Sequence, residues 1–285
     1  MEVPHFLVRA PPQYWAVVAL AILGLLSVLT TLTSFISWLW RYFLRPGKRL
    51  SRYGSWALVT GCTDGIGKGF CFQLAKQHLN LILVGRSREK LDTLASEIKG
   101  KYTVQTHTFV VDFTEADLDA GLSRIQELVN ALDVGILVNN AGMLKRKKGA
   151  IVNVGSGSAS VLPSDPLYAL YAGAKGFIDK FSRNLYVEYK HSGIDVQCQA
   201  PLHVATKLAS IKRSSFFCPS PNVYAHSGVK WIGYEPLCSP YWPHSLLWKI
   251  VKSFPEPLFD AVRFKSCMDV RRRGKAKELC KKDEL

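Results

Sequence analysis

Only nine residues separate Asn140 from Ala150, and the runs on either side, Val134 to Asn140 and Ala150 to Ser156, both read as β-strands. Neighbouring parallel strands need a crossover of about a dozen residues or more, usually a helix. Nine extended residues reach at most about 30 Å, which covers a return of about 17 Å from one strand end to the start of the next. They leave no length for a helix, so any fold assigned to this chain must accommodate a very short link.

From Ser55 onward, short apolar runs alternate with helical stretches, which signals repeated βαβ units and a parallel sheet. Trp56–Thr60 predicts the first strand, Leu81–Val84 the second and Thr108–Asp112 the third. Helices are expected through Gln77, over Arg88–Lys99 and up to about Leu132. The fold class is α/β: a Rossmann-like doubly wound parallel sheet with an N-terminal transmembrane helix, and with the crossover helix between strands four and five missing.

The transmembrane reading rests on Ala10 to Trp40, where no residue is charged; Tyr14 to Trp40 is long enough to cross about 30 Å of hydrocarbon. The run exceeds the apolar core of a signal peptide and has no small-residue cleavage site. It ends in the aromatic and basic border Ser37-Trp38-Leu39-Trp40-Arg41-Tyr42, as an anchor does. Arg41, Arg45, Lys48, Arg49 and Arg52 follow it closely, against Glu2 and Arg9 before it, so the positive-inside rule places the remainder in the cytosol. The C-terminal Lys282-Asp283-Glu284-Leu285 reads as an endoplasmic-reticulum retention address. That address is recognised from the lumen, against the charge bias, so topology is taken from the charges and the tail points only to the same organelle.

The formal charge of +15 is concentrated behind the apolar run, at Lys145–Lys148 and at Arg271–Lys275. With no nucleic-acid motif beside it, this distribution suits an anionic membrane surface or anionic substrate and excludes a base-reading protein. The seven cysteines are scattered and odd in number, with no CxxC pair, which excludes a disulfide framework or zinc site and implies no metal.

Gly61-Cys62-Thr63-Asp64-Gly65-Ile66-Gly67 lies between the first strand and its helix. There the first glycine permits a tight turn, and the later ones let a pyrophosphate approach the free N–H groups of the helix start. An acidic residue at the end of the second strand would hold ribose hydroxyls; this chain has Gly85-Arg86-Ser87, and Arg86 can pair with a 2′-phosphate, so NADPH is favoured. Asp112 either accepts from the adenine amino group or caps the next helix. Tyr171 and Lys175 stand at i and i+4 on one helix face, where the cation favours the phenolate and makes Tyr171 a proton donor near neutral pH. Tyr186 and Lys190 repeat the spacing, but fifteen residues on is about 22 Å along a helix, away from the sheet edge where ligands bind. Ser156 and Ser158, just past the fifth strand, can each hydrogen-bond a substrate carbonyl.

Thr60-Gly61-xxx-Gly65-Ile66-Gly67, Asn139-Asn140-Ala141-Gly142, Ser156 and Tyr171-xxx-Lys175 together resemble the short-chain dehydrogenase/reductase family. Within it, the N-terminal anchor, Gly193–Gln199, Val204–Lys207 and Pro240-Tyr241-Trp242-Pro243-His244 resemble the membrane-bound very-long-chain 3-oxoacyl-CoA reductases, the group related to steroid 17β-dehydrogenases. The resemblance implies that Gly61, Thr63, Asp64, Gly65, Ile66 and Gly67, with Asn139, Ala141 and Gly142, contact the cofactor, and that Val204 and Thr206 flank the nicotinamide carboxamide. Tyr171 and Lys175 serve both cofactor and chemistry. By motif Ser156 matches the family's serine; by distance from the tyrosine Ser158 does. The expected activity is reduction of a very-long-chain 3-oxoacyl-CoA in fatty acid elongation, at the endoplasmic reticulum membrane with the catalytic domain facing the cytosol, in company with other elongation enzymes. A catalytically inactive isoform that binds NADPH or pairs with a complete partner, and a steroid 17β-dehydrogenase, are the alternatives. The expected organisation is a tail over 1–13, an anchor over 14–40, a basic linker over 41–54, a dinucleotide-binding domain over 55–215, a substrate- and membrane-proximal region over 216–270 and a basic tail over 271–285.

The departure from the family is again the short link. In the family this segment is several times longer, forms a helix over the sheet and carries a further asparagine of the catalytic set. Two expectations follow for this chain: water on the apolar faces of Ile136, Val138, Ile151 and Val154, with a fragile fold, and impaired catalysis.

Overall fold

A computed structural model describes residues 11–111, 119–138, 148–207 and 209–283. The chain divides into two units, 1–46 and 47–285. The first contains helix α1 (Pro12–Leu39), continued by a π-helical turn over Trp40–Leu44. Its apolar stretch Gln13–Leu44 is 32 residues long and contains an 18-residue window with a mean hydropathy of 2.3, long and apolar enough to cross a membrane.

The second unit is built on β1 (Trp56–Thr60), α2 (Gly65–Lys76), β2 (Asn80–Gly85), α3 (Arg88–Lys99), β3 (Thr106–Val110), α4 (Asp119–Ala131), β4 (Val134–Val138) and β5 (Gly149–Val154). There follow a short α5 (Gly157–Ser160), the long α6 (Ala169–Tyr189), β6 (Ile194–Gln199), α7 (Pro221–Trp231), β7 (Leu237–Cys238), α8 (Trp242–Ser253) and α9 (Glu256–Asp283). The strands form one parallel sheet in the order β3-β2-β1-β4-β5-β6-β7. The order reverses between β1 and β4, and ligands of such sheets bind in the crevice outside the strand ends at that point. β3 begins two residues earlier than its apolar run suggests, because Leu81 of β2 pairs with Thr106.

β4 and β5 pair directly and in parallel, Ile136 with Ala150 and Val138 with Val152, although Val138 and Gly149 are only eleven positions apart. The expectation of wet sheet faces is overturned. Ile136 is 0% and Val138 1% exposed, in a core with Ala57, Val59, Leu81, Leu83 and Val152 that α2, α3 and α7 cover, and Val154 packs against its edge. Ile151 points to the other face, half-buried, in a cluster with Leu58, Val84 and Leu137 and with Ile125, Leu128 and Val129 of α4. Residues of alternate parity face opposite sides of a sheet, so the four were never on one face, and the side holding Ile136 and Val138 owes nothing to the short link. What is exposed instead is α6. It buries Asp179 and Ser182, while Leu170, Phe177, Phe181 and Val187 face outward, Leu170 at 93% and Phe177 at 68%.

The stretch expected as a basic linker also carries core residues. Leu50 and Tyr53 are buried among the side chains of the principal core. The Tyr53 hydroxyl donates to the Asp195 carboxylate, and the Lys48 ammonium donates to the Gly233 carbonyl.

Candidate active site

β1 delivers the chain into the glycine-rich turn, and the backbone there demands glycine. Gly61 and Gly65 have φ of +60° and +56°, and a Cβ on Gly67 would collide with the Gly61 carbonyl. Asp64 caps α2 by accepting from the Gly65 N–H at 2.7 Å. Its charge is offset by Lys207, 3.7 Å away on the loop that follows β6. That loop also brings the Thr206 methyl over Gly65. A cleft of about 520 Å³ opens between them, lined by Asp64, Gly65, Ala205, Thr206, Lys207 and Lys212 among others. Val204 is buried beneath it. Thr63 lies against Gly85 at the end of β2, and Arg86, the next residue, is exposed there; Ile66 packs on the core from α2. The turn, the Thr206 loop and Arg86 fit a dinucleotide with a charged ribose end. Asp112, Asn139, Ala141 and Gly142 lie outside the described residues.

Serines and lysine meet at the end of β5. Ser156 caps α5, and its Oγ accepts from the Ser158 N–H at 3.3 Å and pairs with Ser158 Oγ at 2.9 Å. The two candidates are thus one hydrogen-bonded couple: with Ser158 donating, the Ser156 proton is left for a substrate oxygen. Tyr171 is the third residue of α6 and is 43% exposed, open to a ligand. One turn on, Lys175 donates to the Val154 carbonyl at 2.9 Å, and its Nζ lies 5.9 Å from the Tyr171 ring centroid. Burial lowers the Lys175 pKa, because desolvation disfavours the charged ammonium.

Residues that sequence reading missed hold these groups in place. Ser160 donates to Asp179 at 2.9 Å, and Arg183 pairs with the same carboxylate at 2.6 Å, which locks α5 onto α6. Lys175, Asp179 and Arg183 recur every four residues, and that charge alternation was the available signal. Asn153 of β5 donates to Ser182 at 2.9 Å under the same helix. His244 of α8 is fully buried. Its Nδ1 accepts from the Leu202 N–H at 3.3 Å, and its Nε2 lies 3.1 Å from the Phe217 carbonyl. Burial pushes its pKa down to about 4, so it is neutral, with the proton on Nε2 donating to Phe217. It ties the Val204–Thr206 loop to the segment that precedes α7. Tyr186 lies on α6 far beyond Tyr171, half-buried.

The short chain dehydrogenase family profile matches residues 55–146 and 143–215, two stretches that meet within the short link. A very-long-chain 3-oxoacyl-CoA reductase-like protein of Arabidopsis thaliana is 40% identical over 282 positions, covering 84% of this chain and 89% of the relative. The bovine very-long-chain 3-oxoacyl-CoA reductase is 36% identical over 260 positions, covering 77% and 82%. A human protein named inactive hydroxysteroid dehydrogenase-like protein 1 is 35% identical over 252 positions, covering 74% and 75%. The 282 plant positions hold 84% of 285 residues, about 239 of them, so about 43 positions find no residue here; the bovine comparison leaves about 41. Among solved structures, a 7beta-hydroxysteroid dehydrogenase superposes with a TM-score of 0.64 at 22% identity, over 75% of this chain and 98% of that one. A short-chain dehydrogenase of Sphingobium yanoikuyae in complex with NADPH gives 0.54 at 22%, over 78% and 94%. The fold agrees with these likenesses: the chain belongs to the short-chain dehydrogenase family, in the group of the very-long-chain 3-oxoacyl-CoA reductases.

Proposed function

We propose that this protein is built to reduce the 3-oxo group of a very-long-chain 3-oxoacyl-CoA with NADPH, and that the short link after Met143 impairs it. The observation that carries the reading is the set of groups at the end of β5: the Ser156–Ser158 couple, the Lys175 ammonium on the Val154 carbonyl, and Tyr171 one turn away. Bound NADPH supplies the hydride to C3 of the substrate. Gly61, Thr63, Gly65, Ile66 and Gly67 would make room for its pyrophosphate, Arg86 would pair with the 2′-phosphate and Val204 and Thr206 would hold the nicotinamide end; the family resemblance assigns Asn139, Ala141, Gly142 and Asp112 to the same cofactor. Ser156, supported by Ser158, donates to the carbonyl oxygen and holds it while negative charge develops. Tyr171 gives that oxygen its proton and so completes the 3-hydroxy product. Lys175 stabilises the phenolate left behind and holds the nicotinamide ribose.

The impairment is supported by the 41 to 43 positions absent relative to the group and by the family match breaking at 143–146. Leu170, Phe177 and Phe181 of α6 are exposed, an apolar set of the kind that a longer link would have the length to cover. A non-catalytic role is the second reading, favoured by the same absence and by a related human protein whose name calls it inactive. The N-terminal span and the charge bias support an endoplasmic-reticulum anchor with the domain in the cytosol, beside other elongation enzymes.

The test uses the full chain in detergent micelles, with NADPH and a long-chain 3-oxoacyl-CoA, and a 17-keto steroid as competitor. A second protein carries the bovine relative's crossover segment after Met143. Acyl-CoA-dependent NADPH oxidation rising by about a hundredfold or more on insertion supports the reading, since relay groups contribute on that scale. Equal rates refute the impairment, and no turnover by either protein, with NADPH still bound, establishes the non-catalytic role.

A further inference from the structure

α8 and α9 are inside out for helices of a water-soluble domain, which turn their apolar stripe to the core and their polar side to solvent. The residues of α8 that go fully inside are Pro243, His244 and Ser245, with Leu247, Trp248 and Val251 half-buried, whereas Leu246 and Ile250 are exposed. α9 is held to the domain by the buried Cys267 and by polar groups. Asp260 accepts from Ser164 at 2.6 Å, and Arg263 pairs at 2.6 Å with the buried Asp165. Its exposed residues include Leu258, Val262 and Phe264, with Val262 at 63%. Between the helices, Lys249, Ile250, Ser253, Phe254, Pro255 and Leu258 line an open groove of about 380 Å³.

We infer that the α8–α9 hairpin lies in the interfacial layer of an anionic bilayer, with Ile250, Phe254, Leu258 and Val262 in the acyl boundary. Charge selects this occupant. Lys249, Lys252 and Lys265 flank the apolar residues, and Arg271, Arg272 and Arg273 follow on the same helix, whereas the acidic residues over 242–273 are Glu256, Asp260 and Asp269. Of these, Asp260 is bound to Ser164, and Asp269 lies 4.0 Å from Arg272. The Lys252 ammonium sits 5.4 Å from the Trp248 ring centroid, an aromatic and a long cation side by side, as at a membrane–water interface. Juxtamembrane cations add attraction to anionic lipid. The inference rests on the N-terminal helix being an anchor, which keeps the domain beside a bilayer by covalent linkage.

The experiment places the full chain, one per disc, in phosphatidylcholine nanodiscs with and without phosphatidylserine. Cys218 and Cys280 are replaced by serine, and a single fluorophore is attached at Leu258→Cys or, as control, at the exposed Lys99→Cys of α3, on the opposite sheet edge. Quenching by doxyl-labelled lipid should be about threefold or more stronger at 258 than at 99, and stronger still with phosphatidylserine. Equal quenching at the two sites overturns the inference. So does loss of that preference in companion discs loaded with two chains, which would assign the face to a second copy. No substrate is present, so either failure leaves the reductase reading standing, and turnover bears on that reading alone.

Discussion

His244 gives the sharpest handle on the site, because it is a titratable group that joins two loops. Its folded pKa of about 4 lies below the ordinary 6.5 because burial disfavours the charged ring. Above about pH 6.5 the ring is neutral in both folded and unfolded chains and exerts no pH dependence. As pH falls from about 6.5 to about 4 the unfolded chain takes up a proton and the folded one does not, so stability is lost. At about 1.4 kcal/mol per pH unit this amounts to about 3 kcal/mol, and below about pH 4 the loss stops. His244→Gln keeps a donor and an acceptor but cannot titrate. Melts of the full chain in micelles should therefore fall more steeply with acid for the wild type, by about 6 to 12 °C over this window, on the scale of 2 to 4 °C per kcal/mol for a domain of this size. His244→Leu strands the Leu202 N–H and the Phe217 carbonyl, at about 1–3 kcal/mol each, and should melt lower at neutral pH with a weakened NADPH affinity. Parallel acid profiles for wild type and H244Q, or a wild-type melt for H244L at neutral pH, would refute the reasoning.

In the chain with the crossover segment inserted, Tyr171→Phe should reduce turnover by about 10² to 10⁴ while leaving the fluorescence-measured NADPH affinity within about twofold; a loss confined to binding would remove Tyr171 from the chemistry. Arg86→Asp should move cofactor preference from NADPH towards NADH by about ten- to a hundredfold, read as a ratio of dissociation constants, and an unchanged ratio counts against a 2′-phosphate contact. Arg263→Met leaves Asp165 buried without its ion partner and should cost about 3 to 5 kcal/mol in denaturant unfolding, with most of it recovered in the Arg263→Met/Asp165→Leu pair; additive losses would deny the coupling.

The strands and the site were legible where the local signal was strong. Trp56–Thr60 and Arg88–Lys99 are bounded as the apolar period and flanking residues predict. The glycine turn and the Tyr171–Lys175 face lie on the elements expected of them. Pairing partners and sheet faces were not legible. β3 shifts because its register is set by β2, and Ile136 and Val138 are dry because helices distant in sequence cover them. Asp179, Asn153 and His244 escaped for a related reason: a polar residue inside an apolar run announces burial only once its hydrogen-bond partner, nineteen to forty-two positions away, is known. Ser156 and Ser158 could not be ranked from spacing, and the structure joins them in one hydrogen-bonded couple.

The burial of Leu50 and Tyr53 changes where a soluble version of this protein can begin. Composition draws the border at Ser55, just before the first strand, and a truncation there would look conservative. It would also pull two large side chains out of the core, at about 2 to 5 kcal/mol for each such void, and strip Asp195 of both its tyrosine and its lysine. A start at Gly47 keeps the plug in place, and any insolubility of shorter versions would then reflect a missing piece of interior rather than a missing membrane.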